Sequence, residues 1–188
     1  MEALVQEPKE RMTTQSVKAL VQDGALIGDW TLDSTKSSVR LKSRTIWGLA
    51  PVNGIFREVS GNGNLSPEGK ISGTLTVAAA SIDTKNRRRD DHLRSPDFFD
   101  SANYPDMTFT VDNIRPSGQS VTVTGALTVR DHTRRLSFHG TASVPSDGEI
   151  RLDTEVQIDR TEFGMTWNRL LMGSMNNTLF VHAVFTRR

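Results

Sequence analysis

Apolar and polar residues alternate along most of this chain, and this alternation limits the fold more than any other feature of the sequence. Segments with apolar residues on one parity follow one another: 30–32, 39–41, 71–77, 107–111, 121–129, 136–144, 150–158 and 179–185. A period of two residues is typical of β-strands with one buried and one solvated face. Turn signals such as Gly61-Asn-Gly-Asn and Ser146-Asp-Gly separate several segments. The pattern predicts about nine short strands in an all-β antiparallel sandwich or closed barrel.

The predicted inward positions leave the nature of the interior open. A barrel of about eight strands is just wide enough to be filled by side chains or to hold one small ligand. Many inward positions carry small or medium-sized residues, namely Val39, Gly73, Val77, Val121, Gly125, Ala142 and Ala183. Such residues are compatible with unfilled apolar space and equally with a core packed with valines. Gly125 also marks a position where a strand is expected to bend or to contain a bulge.

The alternation stops between residues 81 and 110, where a charged segment with helical spacing takes over. A short helix is predicted over residues 86–94. Asp83 or Thr84 is its expected N-cap, because a side-chain oxygen there can accept hydrogen bonds from the unpaired amides of the first turn. Pro96 ends the helix, since the residue before a proline is disfavoured in the helical region.

Two aromatic segments are placed where they can cover a barrel. Phe98 and Phe99 follow the predicted helix, outside any regular element, and predict an aromatic plug at one end of the barrel. Residues 163–175, which are rich in methionine and large apolar groups, join the last two strands. Methionine suits surfaces that repack around variable partners. This second segment is expected either to fold over the barrel and close it or to line its opening.

A second short helix is predicted near the N-terminus. Residues 13–23 have amphipathic spacing, with Thr13 or Thr14 as the N-cap and Gly24 as the end of the helix. A helix this short is marginal by itself, so it is expected to dock on the barrel or to fray.

The chain is expected to comprise an N-terminal extension with its short helix, residues 1–27, and a barrel domain, residues 28–188. No stretch approaches the roughly 18 apolar residues of a membrane span, and residues 1–28 lack an apolar run typical of a signal peptide. The sequence therefore predicts a cytoplasmic protein without an integral membrane segment.

Charge and cysteine content argue against several classes of protein. The 23 lysines and arginines nearly balance the 22 aspartates and glutamates, so no overall field favours nucleic acid or an acidic partner. The absence of cysteine excludes disulfides, thiolate nucleophiles and zinc–thiolate sites. The four histidines have no metal-ligand spacing. We therefore expect no nucleic-acid partner, no metal site and no cofactor.

No catalytic motif is recognisable either. The chain has no G-x-S-x-G elbow, phosphate loop or dinucleotide fingerprint. The carboxylates Asp90, Asp91 and Asp97 are the main acidic cluster, and helix capping explains much of it. We predict no catalytic residues. Two alternatives stay open: an enzyme that acts on a small apolar substrate with His92 and Asp90 or Asp91, and a packed stress-response domain without a ligand.

Five motifs occur in a fixed order: Gly-Ile-Phe-Arg-Glu-Val-Ser-Gly at 54–61, Ser-Ile-Asp-Thr at 81–84, Arg-Asp-Asp-His-Leu-Arg-Ser-Pro-Asp-Phe-Phe-Asp at 89–100, Gly-Ala-Leu-Thr-Val at 125–129 and Arg-Thr-Glu-Phe-Gly-Met at 160–165. Together they resemble the YceI-like, lipid-binding family of bacterial proteins, over about residues 28–188. The chain departs from the family pattern at Lys36 and near Arg44, where many relatives carry histidine. It departs again at Arg130-Asp-His, where relatives usually have glycine, which is expected to alter only a hairpin.

The predicted fold is an extended lipocalin-like antiparallel β-barrel of about eight strands, with a short helix between two strands and a short N-terminal helix. The resemblance implies a long apolar pore that holds an isoprenoid lipid, such as a quinone tail or a polyprenyl phosphate. The protein would bind, transport or sequester that lipid and would not be an enzyme. A transient membrane contact and a homodimer stay open.

Candidate ligand contacts follow from strand parity and from proximity to the inferred openings. Apolar tail contacts are assigned to Trp47, Phe56, Leu75, Phe98, Phe99, Phe109, Leu127, Phe138, Phe163 and Met172. Contacts to a polar head are assigned to Arg44, Arg94 and Arg160.

Overall fold

The structure is a computed structural model that describes residues 16–45, 50–146, 148–168 and 174–188. Its helices are α1, Val17–Gln22, and α2, Arg87–Arg94, and short 3-10 turns occur at Ala79–Ser81 and Arg160–Phe163. Its strands are β1 Gly28–Leu32, β2 Ser38–Thr45, β3 Ala50–Phe56, β4 Val59–Leu65, β5 Ile71–Ala78, β6 Ile82–Asp83, β7 Asp106–Ser117, β8 Ser120–Val129, β9 His132–Ser146, β10 Glu149–Asp159 and β11 Asn176–Arg187.

Eight of these strands form a closed antiparallel barrel. Their order is β1-β4-β5-β7-β8-β9-β10-β11, and β11 pairs back with β1. The predicted all-β barrel of about eight strands with two short helices is therefore confirmed. The described part of the chain contains three further strands, β2, β3 and β6, which extend the wall beyond this ring.

Strand β11 shows how the wall extends beyond the ring. Its residues 185–187 pair with β1 and its residues 178–182 pair with β2, so β1 and β2 lie end to end along one strand. The turn between β1 and β2 folds over Val184. The amide of Asp33 donates to the carbonyl of Val184, at 2.8 Å, and the amide of Val184 donates to Ser37 Oγ, at 2.9 Å. These contacts bury Val184 although it faces away from the lumen.

Two further interruptions of the barrel wall lie between β3 and β4 and between β5 and β6. Strand β4 pairs with β1 and β5, whereas β3 pairs with β2 and β6. Residues 57–58 separate β3 from β4, and the 3-10 turn Ala79–Ser81 separates β5 from β6. The end of the barrel that carries β2, β3, β6 and α2 is called the upper end. The end that carries β1, β4 and α1 is called the lower end.

Helix α2 occupies the predicted place, but the predicted N-cap is wrong. Asn86 caps the helix, since its side-chain oxygen accepts from the amide of Arg89 at 3.1 Å. The two predicted caps have other partners. The Asp83 carboxylate accepts from Arg57, and the Thr84 hydroxyl donates to Asp90 at 2.6 Å. A cap is decided by which side chain reaches the first turn, and several oxygens compete for that place here.

Helix α1 closes the lower end. Ser16 caps it by accepting from the amide of Ala19, at 3.2 Å, whereas the predicted caps lie outside the described residues. Val17 is buried in an apolar cluster with Leu26 and Trp30. The helix is short, so this packing rather than its intrinsic propensity stabilises it.

The carboxylate of Asp83 stabilises the chain around β6 through contacts with Arg57 and Lys85. Arg57 Nη2 lies 2.7 Å from Asp83 Oδ2, and the amide of Lys85 donates to Asp83 Oδ1 at 2.8 Å. The guanidinium of Arg57 and the Lys85 contacts hold the pKa of Asp83 far below its usual value of 3.8. A lowered pKa in the folded state stabilises the fold above the unfolded pKa, and this contribution is lost as the pH falls.

We therefore expect Asp83→Asn to lower the melting temperature at neutral pH and to flatten its decline below about pH 4. Thermal melts over a pH series measure both effects. Asp106→Asn is the control for loss of one negative charge, because Asp106 is exposed and has no ion pair within the described residues. Parallel pH profiles for wild type and Asp83→Asn would contradict the expectation.

Candidate ligand-binding lumen

The interior of the barrel holds a cavity of about 370 Å³ at its upper end. Strands β2, β3, β5, β7, β8, β10 and β11 contribute to its wall, together with α2 and the turn Arg160–Phe163. Its volume lies within the range of roughly 300–1,000 Å³ that is usual for small-molecule sites. Because aliphatic and aromatic side chains form most of its wall, the cavity suits an apolar ligand.

A second cavity, of about 170 Å³, occupies the lower end. Val17 and Val21 of α1 and the indole of Trp30 line it. Leu75 and Phe109 line both cavities, so the two spaces meet at these side chains. The interior thus contains two apolar chambers between packed side chains, which favours the first of the two predicted interiors.

Most of the predicted ligand contacts face this lumen. Nine of them line the upper cavity: Arg44, Phe56, Leu75, Phe98, Phe99, Phe109, Leu127, Arg160 and Phe163. Phe138 lines the lower cavity instead, with its ring centroid 5.4 Å from that of Phe109. Trp47 and Met172 lie outside the described residues.

Arg94 does not line either cavity. Its Nε donates to the carbonyl of Ala80, at 2.7 Å, and its Nη2 donates to the carbonyl of Ile82, at 2.8 Å. The side chain thereby ties α2 to the barrel wall. The helix was predicted correctly, but the direction of this side chain depends on where the wall ends.

Several residues that line the upper cavity were not predicted as contacts, and three of them carry a charged or aromatic side chain. His92 and Arg89 of α2 face the upper cavity, as does Trp167. Residues 89, 92 and 93 are three and four positions apart, so helical spacing places them on one face. That signal was present in the sequence, but it did not show which face meets the barrel.

Arg160 is a buried cation at the upper cavity. It is 6% exposed, its Nη1 donates to the carbonyl of Met165 at 2.6 Å, and its Nε donates to the carbonyl of Ser174 at 3.0 Å. Burial lowers the pKa of Arg160, yet a guanidinium in a protein stays charged. Within the described ranges no carboxylate lies within 4 Å of it. A positive charge without a carboxylate in direct contact therefore borders an apolar space, and the charge of Asp159 acts on it only from a greater distance.

The same arginine places the segment that joins β10 to β11. Its two acceptors, Met165 and Ser174, lie on either side of residues 169–173. Trp167 and Ser174 both line the upper cavity. The described parts of the segment therefore line the upper cavity, and whether the whole segment closes the barrel or lines its opening stays a prediction.

His92 belongs to an aromatic cluster at the same end. Its ring lies edge-on to Phe98 and to Trp167, with centroids 5.0 Å and 4.5 Å apart. Its Nε2 lies 2.9 Å from Asp97 Oδ2. The structure does not form the hypothetical catalytic pairs, because Asp90 accepts from Thr84 instead and Asp91 contacts Arg94.

Metal binding has no support in the part of the chain that is described, where no three histidine or carboxylate side chains group as ligands. None of the helices in that part is long and apolar enough to cross a membrane.

The aromatic loop at residues 95–105 is tethered by an unusual residue. Arg130 has φ +57°, in the left-handed region that favours glycine. Its Nη1 donates to the carbonyl of Phe98, at 3.3 Å, and its guanidinium lies 5.7 Å from the ring centroid of Tyr104. The arginine that departs from the family pattern therefore does more than alter a hairpin: it also holds the loop that carries Phe98.

We expect Arg130→Gly and Arg130→Ala to separate the tether that the side chain provides from the backbone strain at this position. Both variants lose the tether, so amide hydrogen exchange across residues 96–104 should rise in both. Only alanine keeps the backbone strain, and it should therefore be less stable than the glycine variant by about 1 kcal/mol. Exchange mass spectrometry and urea unfolding measure the two quantities. Unchanged loop exchange in both variants would show that Arg130 does not hold the loop.

Comparisons with known proteins agree with this geometry. A model of the YceI-like domain family matches residues 30–186. A UPF0312 protein of Staphylococcus epidermidis is 29% identical over 150 residues, which cover 76% of this chain and 85% of that protein.

Solved structures share the fold. Burkholderia cenocepacia BcnA has a TM-score of 0.74 at 24% identity, over 81% of this chain and 98% of that one. A structure described as a polyisoprenoid binding domain from Saccharophagus degradans, implicated in plant cell wall breakdown, has a TM-score of 0.72 at 16% identity, over 85% and 98% of the two chains. The family match begins within β1, ends within β11 and includes all the described strands between them. The chain therefore belongs to the YceI-like domain family.

Proposed function

We propose that this protein binds an amphiphilic isoprenoid lipid in its lumen and carries or sequesters that lipid. The observation that carries the proposal is the arrangement of the lumen: two adjacent apolar chambers, of which only the upper one is lined by charged side chains among the described residues. The solved neighbour described as a polyisoprenoid binding domain supports the same ligand class.

Burial of the lipid tail supplies the affinity. Each methylene group transferred from water into an apolar site contributes about 0.8 kcal/mol. Ordering a flexible chain offsets part of this gain, so the net affinity is well below the sum. The aromatic and aliphatic residues predicted as tail contacts are proposed in that role, including Trp47 and Met172, which stay predictions.

The head group is proposed to lie at the upper end. Two of the five N–H groups of Arg160 are used by backbone carbonyls within the described chain. The others are suited to an oxygen-rich head, such as a quinone or a phosphate, and Arg44 and His92 line the same chamber. Arg94 is not part of the proposed head-group site, because its guanidinium donates to backbone carbonyls of the barrel wall.

The cytoplasmic location, the division of the chain at residues 27 and 28, the membrane contact and the homodimer stay predictions. No described feature favours catalysis over binding in the lumen.

Mass spectrometry of an organic extract tests the proposal. The protein would be purified without detergent from its native host, beside a denatured control. A stoichiometric isoprenoid that is present only with the folded protein is the expected result. An extract without any long-chain amphiphile, also after incubation with quinones and polyprenyl phosphates, would contradict the proposal.

A matched pair of variants tests whether the lipid lies in the upper chamber. Leu41 lines the upper chamber, whereas Lys42, the next residue of β2, is exposed. Leu41→Asn introduces a polar group of similar size into the lumen and should lower the retained lipid at least tenfold. Lys42→Asn should retain as much lipid as wild type. Equal retention by two folded variants would place the lipid elsewhere.

A further inference from the structure

The lumen narrows at one level. Among the described residues, Leu75 and Phe109 are the side chains that line both chambers. The ring of Phe109 is held from two sides. A Cβ atom built on Gly125 would lie 2.6 Å from Phe109 Cζ, so the ring lies directly against the backbone of β8. On the other side its centroid lies 5.4 Å from that of Phe138.

The two chambers differ in charge. Arg44, Arg89, His92 and Arg160 line the upper chamber. No charged side chain among the described residues lines the lower chamber. A lipid that places its head at the upper end must therefore pass Phe109 before its tail reaches the lower chamber.

Helix α1 and the residues that follow it form the floor of the lower chamber. Val17 and Val21 of α1 line it together with Leu26 and Trp30, and three of these four side chains are buried in one cluster. The indole Nε1–H of Trp30 donates to the carbonyl of Leu26, at 3.0 Å, which fixes the indole in place. A tail that enters from above ends at this floor.

We propose that Phe109 and Leu75, together with this floor, determine the length of lipid tail that the protein accepts. Short tails occupy the upper chamber. Longer tails gain affinity only by displacing the Phe109 ring and entering the lower chamber, and units beyond the floor stay outside the lumen. This inference rests on the proposed function and names the residues that set its specificity.

The length limit follows from β11, whose inward residues line the upper chamber at Asn177 and Leu179 and the lower chamber from Val181 to Phe185. Their eight residue steps span roughly 27 Å along the strand at about 3.4 Å per residue. A strand tilt of about 40° reduces this to roughly 21 Å along the barrel axis. An extended chain advances about 3.5 Å per three backbone bonds, so a four-bond isoprene unit advances roughly 4.5 Å. The lumen therefore holds about four to five isoprene units.

Isoprenols of increasing length test the proposal. For wild type, affinity should rise by about tenfold or more with each unit up to four or five units, and then level off. Ala183 lines the lower chamber, and Ala183→Phe fills it. That variant should bind short isoprenols as wild type does and lose at least tenfold in affinity for those of four units or more. His182→Phe, on the opposite face of β11, is the matched control.

A second variant keeps the test decisive if Ala183→Phe does not fold. Phe109→Ala joins the chambers, so it should strengthen binding of four-unit isoprenols relative to two-unit ones. If affinity depends on isoprenol length in the same way in wild type and in both variants, the inference about tail length is wrong while the binding function stands. If no isoprenol or other long-chain amphiphile binds to any of them, the proposed function itself fails.

Trp30 reports directly on the lower chamber. The chain contains three tryptophans, and replacement of Trp47 and Trp167 by phenylalanine leaves Trp30 alone. Its fluorescence should respond to isoprenols long enough to pass Phe109 and not to two-unit ones. An equal response to all lengths would overturn the proposed constriction.

Discussion

Replacement of Gly125 by valine is expected to lower the free energy of unfolding by about 3 kcal/mol or more. A Cβ atom at this position would lie 2.3 Å from the carbonyl oxygen of Thr110 and 2.6 Å from Phe109 Cζ. The first neighbour is backbone in the paired strand β7, which cannot move without disturbing the sheet. At this size of domain the melting temperature should fall by roughly 6–12 °C.

Ala126→Val is the matched control for this substitution. Ala126 is the next residue of β8, points to the other face and is only half-buried. Valine has a higher strand propensity than alanine, so this variant should be as stable as wild type or slightly more stable. Urea unfolding of both variants makes the comparison. A Gly125→Val protein as stable as the control would show that β7 and β8 can separate locally without cost.

Phe163→Ala is expected to lower the free energy of unfolding by about 3–5 kcal/mol. Phe163 lies in the turn Arg160–Phe163, is fully buried and borders the upper chamber. Its removal enlarges a space that is already partly empty, and the surrounding side chains belong to a closed barrel that cannot collapse onto it. The large cost therefore combines lost apolar burial with a larger cavity.

Trp167→Ala tests whether the loss of stability follows from the burial of the side chain or from its aromatic ring alone. Trp167 borders the same chamber, but it is 39% exposed. Its replacement should cost less than half as much stability as Phe163→Ala, because much of its surface already contacts water. Chemical unfolding curves for both variants provide the measurement. Equal losses would mean that Trp167 packs more tightly than its exposure indicates.

The location of the charged groups matters for the proposed carrier function. A buried cation is costly unless its N–H groups have acceptors. Arg160 uses backbone carbonyls of Met165 and Ser174, which fixes the segment at the mouth of the lumen and also orients the guanidinium. One side chain thus serves the fold and provides a polar anchor where a lipid head would lie.

Strand parity explains why so many candidate contacts were predicted from sequence. Alternation with a period of two determines which side chains face inward, and it correctly placed Phe56, Leu75, Phe109 and Leu127 in the lumen. Parity does not determine the height of a residue along the barrel axis. Phe138 was therefore predicted as an inward residue without any indication that it borders the lower chamber.

The direction in which a side chain points was harder to predict at the ends of helices and strands. The charged helix was evident from its spacing, but the wall that it meets is built from β6 and the turn before it, which are too short to show a periodic signal of their own. Arg94 was for that reason assigned to the lumen, whereas His92 and Arg89 were not.

The sequence by itself determined the all-β class, the inward faces of the strands, the position of both helices and the family, because these depend on local periodicity and on short motifs. Tertiary structure alone decided the division between β3 and β4, the burial of Val184, the N-cap at Asn86 and the division of the lumen at Phe109. Each of these depends on which distant segments come into contact when the barrel closes, and that closure is a property of the whole sheet rather than of any one stretch of chain.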